Sequence, residues 1–128
     1  MVELYGILYE LINPICPCYV DHYPTDQEGI TTKVYPYCEI TFPNIVANNS
    51  FSDNNLFQID IWDNKDTDIR EIENITDSIH KVLNRYHFIN NHMQFSINRN
   101  DPYRLSLADV DLTIQRRELR YLITIYEI

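Results

Sequence analysis

Residues 56–83 read LFQIDIWDNKDTDIREIENITDSIHKVL, and the hydrophobic period changes within this stretch. At its start Phe57, Ile59 and Ile61 alternate with other side chains, which is the pattern of a strand with one buried face. Further on, the apolar residues recur at the spacing of a single helix face. The stretch predicts a strand over 56–63 followed by a helix over 68–86. It decides the fold because both elements must bury their apolar sides in one common layer.

The second helix is predicted from its ends as well as from its apolar stripe. Asp68-Ile69-Arg70-Glu71 has the form of a capping box, and acidic residues crowd the first turn, where the helix dipole favours them. Lys81 and Arg85 lie toward the other end, where the dipole favours cations. The predicted apolar face consists of Ile69, Ile72, Ile75, Ile79, Val82, Leu83 and Tyr86.

The same two patterns recur on either side of this stretch. A first helix is predicted over 2–12, and half-buried strands are predicted over 37–42 and 93–97. Residues 110–115 are either the partner or the beginning of a last strand. The inward face of that last strand consists of Leu119, Tyr121, Ile123 and Ile125.

Three intervening segments, 15–34, 43–55 and 98–108, are rich in Pro, Asn, Ser or Asp and are predicted to be loops. For 98–108, a loop that contains a short strand is the alternative. The predicted order is therefore helix, strand, strand, helix, strand, strand. Because the strands alternate and are not solid apolar runs, a mainly antiparallel sheet with one wet face is favoured. The predicted fold class is α+β, a two-layer sandwich with two helices packed on one face of the sheet, in a single domain over 1–128.

Composition excludes several functions. The chain has only two glycines, whereas phosphate-binding loops, dinucleotide fingerprints and nucleophile elbows need several close together. The formal net charge is −9, and residues 1–64 hold nine acidic residues against the single base Lys33. Such a chain repels a phosphate backbone, so direct nucleic-acid binding is not expected. The charge serves either plain solubility or the matching of unlike faces of neighbouring subunits.

The reactive residue types do not form a catalytic or metal-binding motif. Cys16, Cys18 and Cys38 lack the spacing of a zinc site and are expected to be small buried thiols. The four histidines are expected to be exposed polar side chains, and the neighbours Asp21 and His22 are not expected to act as a dyad. We therefore predict no catalytic residue, no cofactor and no metal.

Six carboxylates form a run that could bind a divalent cation: Asp60, Asp63, Asp66, Asp68, Glu71 and Glu73. The run lacks the glycine and the fixed alternation of a calcium loop, and a solvated helix start explains most of it. The chain also has neither an 18-residue apolar run nor a basic amino terminus before an apolar segment. No membrane partner is predicted, and synthesis in a cytoplasm is expected.

One strand face is predicted to meet a partner. Trp62 falls on the side of its strand that faces away from the core, where a lone Trp is covered either by a loop or by another protein. Arg116, Arg117 and Arg120 form the basic cluster of the chain and could pair with the acidic half of a neighbouring subunit. The predicted subunit interface consists of Leu56, Gln58, Asp60, Trp62, Arg116, Arg117 and Arg120.

The order of these motifs resembles that of the tail-terminator and tail-completion proteins of long-tailed phages, over nearly the whole chain. The first helix is amphipathic, and residues 35–40 read YPYCEI, a strand entered through proline. Residues 56–62 read LFQIDIW, a strand that ends in Asp-x-Trp before a polar link and the long helix. The closing strand carries Arg116-Arg117 and Leu119-Arg120-Tyr121.

The resemblance implies a structural subunit of the virion neck, assembled in the host cytoplasm. It would form a homo-hexameric ring on the last ring of tail tube protein, stop tube polymerisation, and offer a surface to head-completion proteins. DNA would only pass through the lumen. The expected tube or neck contacts lie in the segments 43–55 and 98–108, at Asn48, Asn49, Ser50, Asn100, Asp101 and Tyr103.

Two alternatives to tail termination stay open. The first is another neck protein, such as a head-closure or head-tail joining subunit. The second is a small cytosolic binding domain that never enters a particle.

Overall fold

The computed structural model describes residues 2–20, 34–47, 52–65, 68–108 and 113–127. The elements, in chain order, are α1 (Val2–Ile12), β1 (Cys18–Val20), β2 (Tyr37–Ala47), β3 (Ser52–Asp63), α2 (Arg70–Leu83), β4 (His87–Ile89), β5 (Met93–Ala108) and β6 (Gln115–Glu127). Neither of these helices is long and apolar enough to cross a membrane.

The strands form one six-stranded sheet in the order β1-β2-β3-β6-β5-β4. β1 pairs with β2 in parallel, and all other neighbours are antiparallel. The α+β class is confirmed, but the flat two-layer sandwich is confirmed only in part, because the sheet is mixed and curls into a half-barrel. The short strands β1 and β4 were not predicted, since three residues are too few to display an alternating pattern.

The core lies between the helices and one face of the sheet. α1 contributes Leu4, Leu8 and Ile12, all fully buried. β3 contributes Phe57, Ile59 and Ile61, and β6 contributes Leu119, Tyr121 and Ile123, as their alternation predicted. Opposite residues of β3 and β6 include Phe57 with Tyr121 and Ile59 with Leu119, so the two central strands present one continuous apolar surface.

The start of α2 differs from the prediction. The helix begins at Arg70 with Ile69 as its N-cap residue, and no side chain caps it. Asp68 is not part of a capping box: its carboxylate accepts hydrogen bonds from the backbone N–H and the guanidinium of Arg70 at 2.9–3.1 Å. Ile69, predicted on the apolar face, is exposed because it precedes the first helical turn.

Two segments predicted to be loops are largely strand. β2 extends to Ala47 and β3 begins at Ser52, so much of 43–55 belongs to a long hairpin. Likewise 98–108 continues β5, with a register shift against β6 between Arg99 and Arg104. The polar composition of both segments misled the prediction, because long paired strands of a curved sheet accept polar residues where the backbone hydrogen bonds are satisfied by the neighbouring strand.

Candidate functional site

The candidate site is the sheet face that points away from the core, here called the outer sheet face. Strand register brings its members together across β2, β3 and β6 in three successive rows. The rows are Tyr37-Trp62-Arg116, Glu39-Asp60-Glu118 and Thr41-Gln58-Arg120. Six of the predicted interface residues, all except Arg117, therefore share this face.

Trp62 is covered partly by its own chain. Its ring stacks on the ring of the buried Tyr37, with centroids 5.1 Å apart and planes 17° apart. From the other side, the guanidinium of Arg116 lies 5.1 Å from the centroid of the indole ring, within cation–π range. Trp62 nevertheless stays only half-buried, so part of an indole flanked by these groups remains available to a partner.

The middle row consists of three acidic side chains, and two of them are nearly closed to solvent. Asp60 and Glu118 are each only 5% exposed. Arg116 donates to Asp60 at 3.0 Å, Gln58 donates to the other oxygen of Asp60 at 3.0 Å, and Arg120 donates to Glu118 at 3.0 Å. Arg116 and Arg120 therefore act within the subunit, as counter-charges to buried carboxylates.

Arg117 lies apart from the other six predicted interface residues. It points to the opposite face of the sheet, toward α2, because its side chain alternates with those of Arg116 and Glu118. There its guanidinium donates to Glu73 at 2.6 Å, and Glu73 also binds Arg104. Arg104 binds Asp77 one turn further along α2 as well. This ion-pair cluster fastens α2 to β5 and β6.

The predicted contact residues of 98–108 lie in a strand irregularity and not in a loop. Asn100 and Asp101 are exposed within β5, at the register shift. Tyr103 is half-buried: its ring stacks on the His80 ring of α2 at 4.6 Å, and the guanidinium of Arg99 lies over the Tyr103 ring at 5.3 Å from its centroid. Asn48, Asn49 and Ser50 lie outside the described residues.

His80 contacts Tyr103 and Tyr121, which the sequence did not predict, since all histidines were expected to be exposed polar side chains. It is half-buried, and its Nδ1 lies 2.8 Å from the Tyr121 hydroxyl. Burial, reinforced by the nearby charges of Arg99 and Arg104, lowers the pKa of His80. The helical spacing from Ile72, Thr76 and Ile79 could have indicated that this position borders the core.

A second exposed surface was also missed. Register places Ile89 of β4, Gln94 of β5 and Tyr126 of β6 in one row. Ile89 is 62% exposed and Tyr126 is 40% exposed. The row lies on the outer sheet face, beside the Met93–Glu127 pair at one end of β5 and β6. Trp62 lies at the opposite end of the sheet, where it pairs with Arg116 beside the Ala108–Gln115 pair.

The described carboxylates of the 60–73 run are dispersed by the fold, and Asp66 lies outside the described residues. Asp60 faces outward, Asp63 is buried on the other face, and Glu73 is occupied by arginines. Burial raises the pKa of Asp63, opposed by a hydrogen bond from the backbone N–H of Asn64. Within the ranges that the structure describes, no group of three or more His, Cys, Asp or Glu side chains is arranged to hold a metal ion. Asp21 and His22 lie outside those ranges.

Comparison with models of protein families finds no match, and comparison with curated proteins finds none either. Among solved structures, the chain is similar to one from the virion of a native gene transfer agent particle. The TM-score is 0.64 at 9% sequence identity, and the match covers 94% of this chain and 85% of the other. The likeness therefore concerns the fold over nearly the whole of this chain.

Proposed function

We propose that this protein is a structural subunit of a phage-like particle, and more narrowly a ring-forming tail terminator. In this role it caps the tail tube, stops its polymerisation and connects the tail to the neck. The work is mechanical and needs no catalytic group. The proposal rests on two observations, the order of sequence motifs and the fold.

The observation that carries the proposal is the fold likeness to a chain of a gene transfer agent virion, which spans 94% of this protein. A likeness over the whole domain supports a shared architecture and not a shared fragment. The virion context of that chain agrees with the resemblance of the sequence motifs to tail-completion proteins. The support comes from the fold and not from sequence conservation, since sequence identity in the structural match is only 9%.

The outer sheet face supports assembly into a ring. Asp60 and Glu118 are already paired with Arg116 and Arg120 within the subunit, so another protein can cover these four residues without leaving new unpaired charges among them. Trp62 contributes a large, half-buried aromatic surface beside them. Aromatic residues next to neutralised polar groups are typical of interface centres.

A ring needs two unlike surfaces on each subunit, because each copy contacts its two neighbours through different faces. The Ile89-Gln94-Tyr126 row is a suitable second surface. It is exposed, partly apolar, and lies at the opposite end of the sheet from Trp62. We propose that this row of one subunit contacts the Trp62 end of the next.

The charge of the chain supports a ring through which DNA passes. A net charge of −9 disfavours adhesion of a phosphate backbone, and an acidic lumen lets DNA slide. In this proposal DNA passes through the ring without binding to it. The expected protein partners are further copies of this chain, the tail tube protein and head-completion proteins of the neck.

Deletion of the gene from its phage-like element tests the proposal, with electron microscopy of the lysate as the readout. Headless tails of uncontrolled, excessive length are expected, because nothing then stops tube growth. Tails of normal length beside unjoined heads would instead assign the chain to head-tail joining. Intact particles of normal yield would overturn the structural role, and re-expression of the gene in trans is the control.

A further inference from the structure

The three cysteines meet at one place in the fold, where α1, β1 and β2 join. All three are free thiols and no more than 2% exposed, which confirms the prediction that they are buried. Cys18 of β1 and Cys38 of β2 are direct partners in the parallel pairing of these strands. The Cys16 and Cys18 thiols are close enough to Cys38 to raise the pKa of its thiol.

Strand pairing suits a covalent link between Cys18 and Cys38. Direct partners on neighbouring strands carry their side chains on the same face, and their Cα separation falls in the range that disulfides use. A backbone hydrogen bond of 2.9 Å from Cys38 N–H to the Pro17 carbonyl holds β1 in this register. Cys16, by contrast, lies before β1 and meets Cys38 through its carbonyl, at 3.8 Å from the Cys38 sulfur.

We propose that Cys18 and Cys38 form a disulfide when the protein meets a disulfide oxidant such as oxidised glutathione, and that this bond joins β1 covalently to β2. The inference does not depend on the proposed function. Cys16 stays a thiol in the product.

The reaction takes place in two exchanges. The Cys18 thiolate attacks one sulfur of oxidised glutathione, so that the glutathione disulfide breaks, a mixed disulfide forms on Cys18 and one glutathione leaves. The Cys38 sulfur, after losing its proton, then attacks the Cys18 sulfur and the second glutathione leaves. The two protein thiols are oxidised, and one glutathione disulfide is reduced to two thiols.

The order of the two attacks follows from the pKa values of the two thiols. The neighbouring Cys38 thiol lowers the pKa of Cys18, and this effect outweighs burial. The pKa of Cys38 is raised, chiefly by the two neighbouring thiols and by burial. Cys18 is therefore the first nucleophile. Access requires β1 to open, and a three-residue edge strand is among the least stable parts of a sheet.

The test uses the folded protein incubated with oxidised glutathione, followed by unfolding in an alkylating agent and mass spectrometry. We expect one alkylated cysteine per chain, Cys16, and a peptide containing the Cys18–Cys38 bond. A parallel sample is refolded in a mixture of reduced and oxidised glutathione, so that slow opening of β1 does not limit the reaction. Circular dichroism before and after oxidation checks that the fold is kept.

Three variants locate the bond. Cys16→Ser should form it as the natural chain does, whereas Cys18→Ser and Cys38→Ser should not. Three alkylated cysteines in both samples would overturn the proposal. So would a bond that contains Cys16 in the natural chain, or a glutathione adduct on Cys18 that Cys38 never displaces.

Discussion

Asp60 of β3 and Glu118 of β6 are direct cross-strand partners, and each is only 5% exposed. Two like charges on directly opposite strand positions repel each other, and burial weakens the screening of this repulsion by water. Arg116 and Arg120, one on either side of Glu118 along β6, each bind one of the two carboxylates at 3.0 Å. Asp60, Glu118, Arg116 and Arg120 therefore form a compact set of four charges that sum to zero, with Glu39 beside Asp60 on β2.

The first prediction concerns this set. Arg116→Ala should lower the free energy of unfolding by about 1–3 kcal/mol, because it leaves the buried Asp60 carboxylate beside Glu118 without its cation. Urea denaturation measures the loss. Arg70→Ala is the control, since its ion pair with Asp68 is exposed and should contribute little. Adding Asp60→Asn to Arg116→Ala should recover part of the stability, and a further loss would contradict the charge argument.

The second prediction concerns assembly. Trp62→Ala should abolish or strongly weaken ring formation, because it removes the aromatic surface proposed to meet the next subunit, while the circular dichroism spectrum stays that of the natural chain. Light scattering after size exclusion, with negative-stain microscopy, measures the assembly.

Phe88→Ala is the matched control for Trp62→Ala. Phe88 is also half-buried and stacks on an aromatic ring, that of Phe95 at 5.2 Å, but on the core side of the sheet. It should cost stability and leave ring formation intact. Equal assembly of the Trp62→Ala protein and the natural chain would remove Trp62 from the interface.

The third prediction concerns the ion pairs under α2. Glu73→Ala should destabilise the fold by about 1–3 kcal/mol, because Arg117, nearly buried, loses its carboxylate and Arg104 loses one of two. Glu71→Ala is a close control: it removes an acid from the same first turn, but one paired only with the exposed Lys65. Equal losses in the two variants would indicate that the helix dipole, and not the arginines, makes Glu73 important.

The fourth prediction concerns pH. The pKa of His80 is lower in the folded chain than its ordinary value of 6.5, chiefly because of burial, so the unfolded chain binds a proton more readily. The stability contributed by neutral His80 is therefore complete above about pH 6.5 and is lost as the pH falls below that value. Urea denaturation at pH 7.5 and pH 5.5, values chosen on either side of about 6.5, should register the decrease.

His80→Gln tests the assignment of this pH dependence. Gln keeps a polar partner for the Tyr121 hydroxyl but does not titrate, so the difference in stability between the two pH values should shrink. The exposed His92→Gln should leave the difference as it is. An undiminished difference in the His80→Gln protein would assign the pH dependence to other groups.

The sequence alone determined those elements whose pattern is local and repeated. Phe57, Ile59 and Ile61 on one strand face, and the helical stripe from Ile72 to Leu83, were predicted because backbone geometry sets periods of 2.0 and 3.6 residues. Side-chain parity also determined which side of β3 carries Trp62. These predictions need no knowledge of what lies opposite, and the structure confirms them.

Tertiary structure decided what depends on a distant partner. Asn44 and Asn54 read as loop residues, yet both belong to strands because each backbone is paired across a long hairpin. Asp60 was predicted to contact another subunit, yet its nearest cation is Arg116 of its own chain, 56 positions away. Arg117 shares the alternation of Leu119 and Tyr121, which places it on the inward face, but only the fold shows that Glu73 is its partner there. Pairing and burial are properties of residues that are far apart in the chain, so no local pattern contains them.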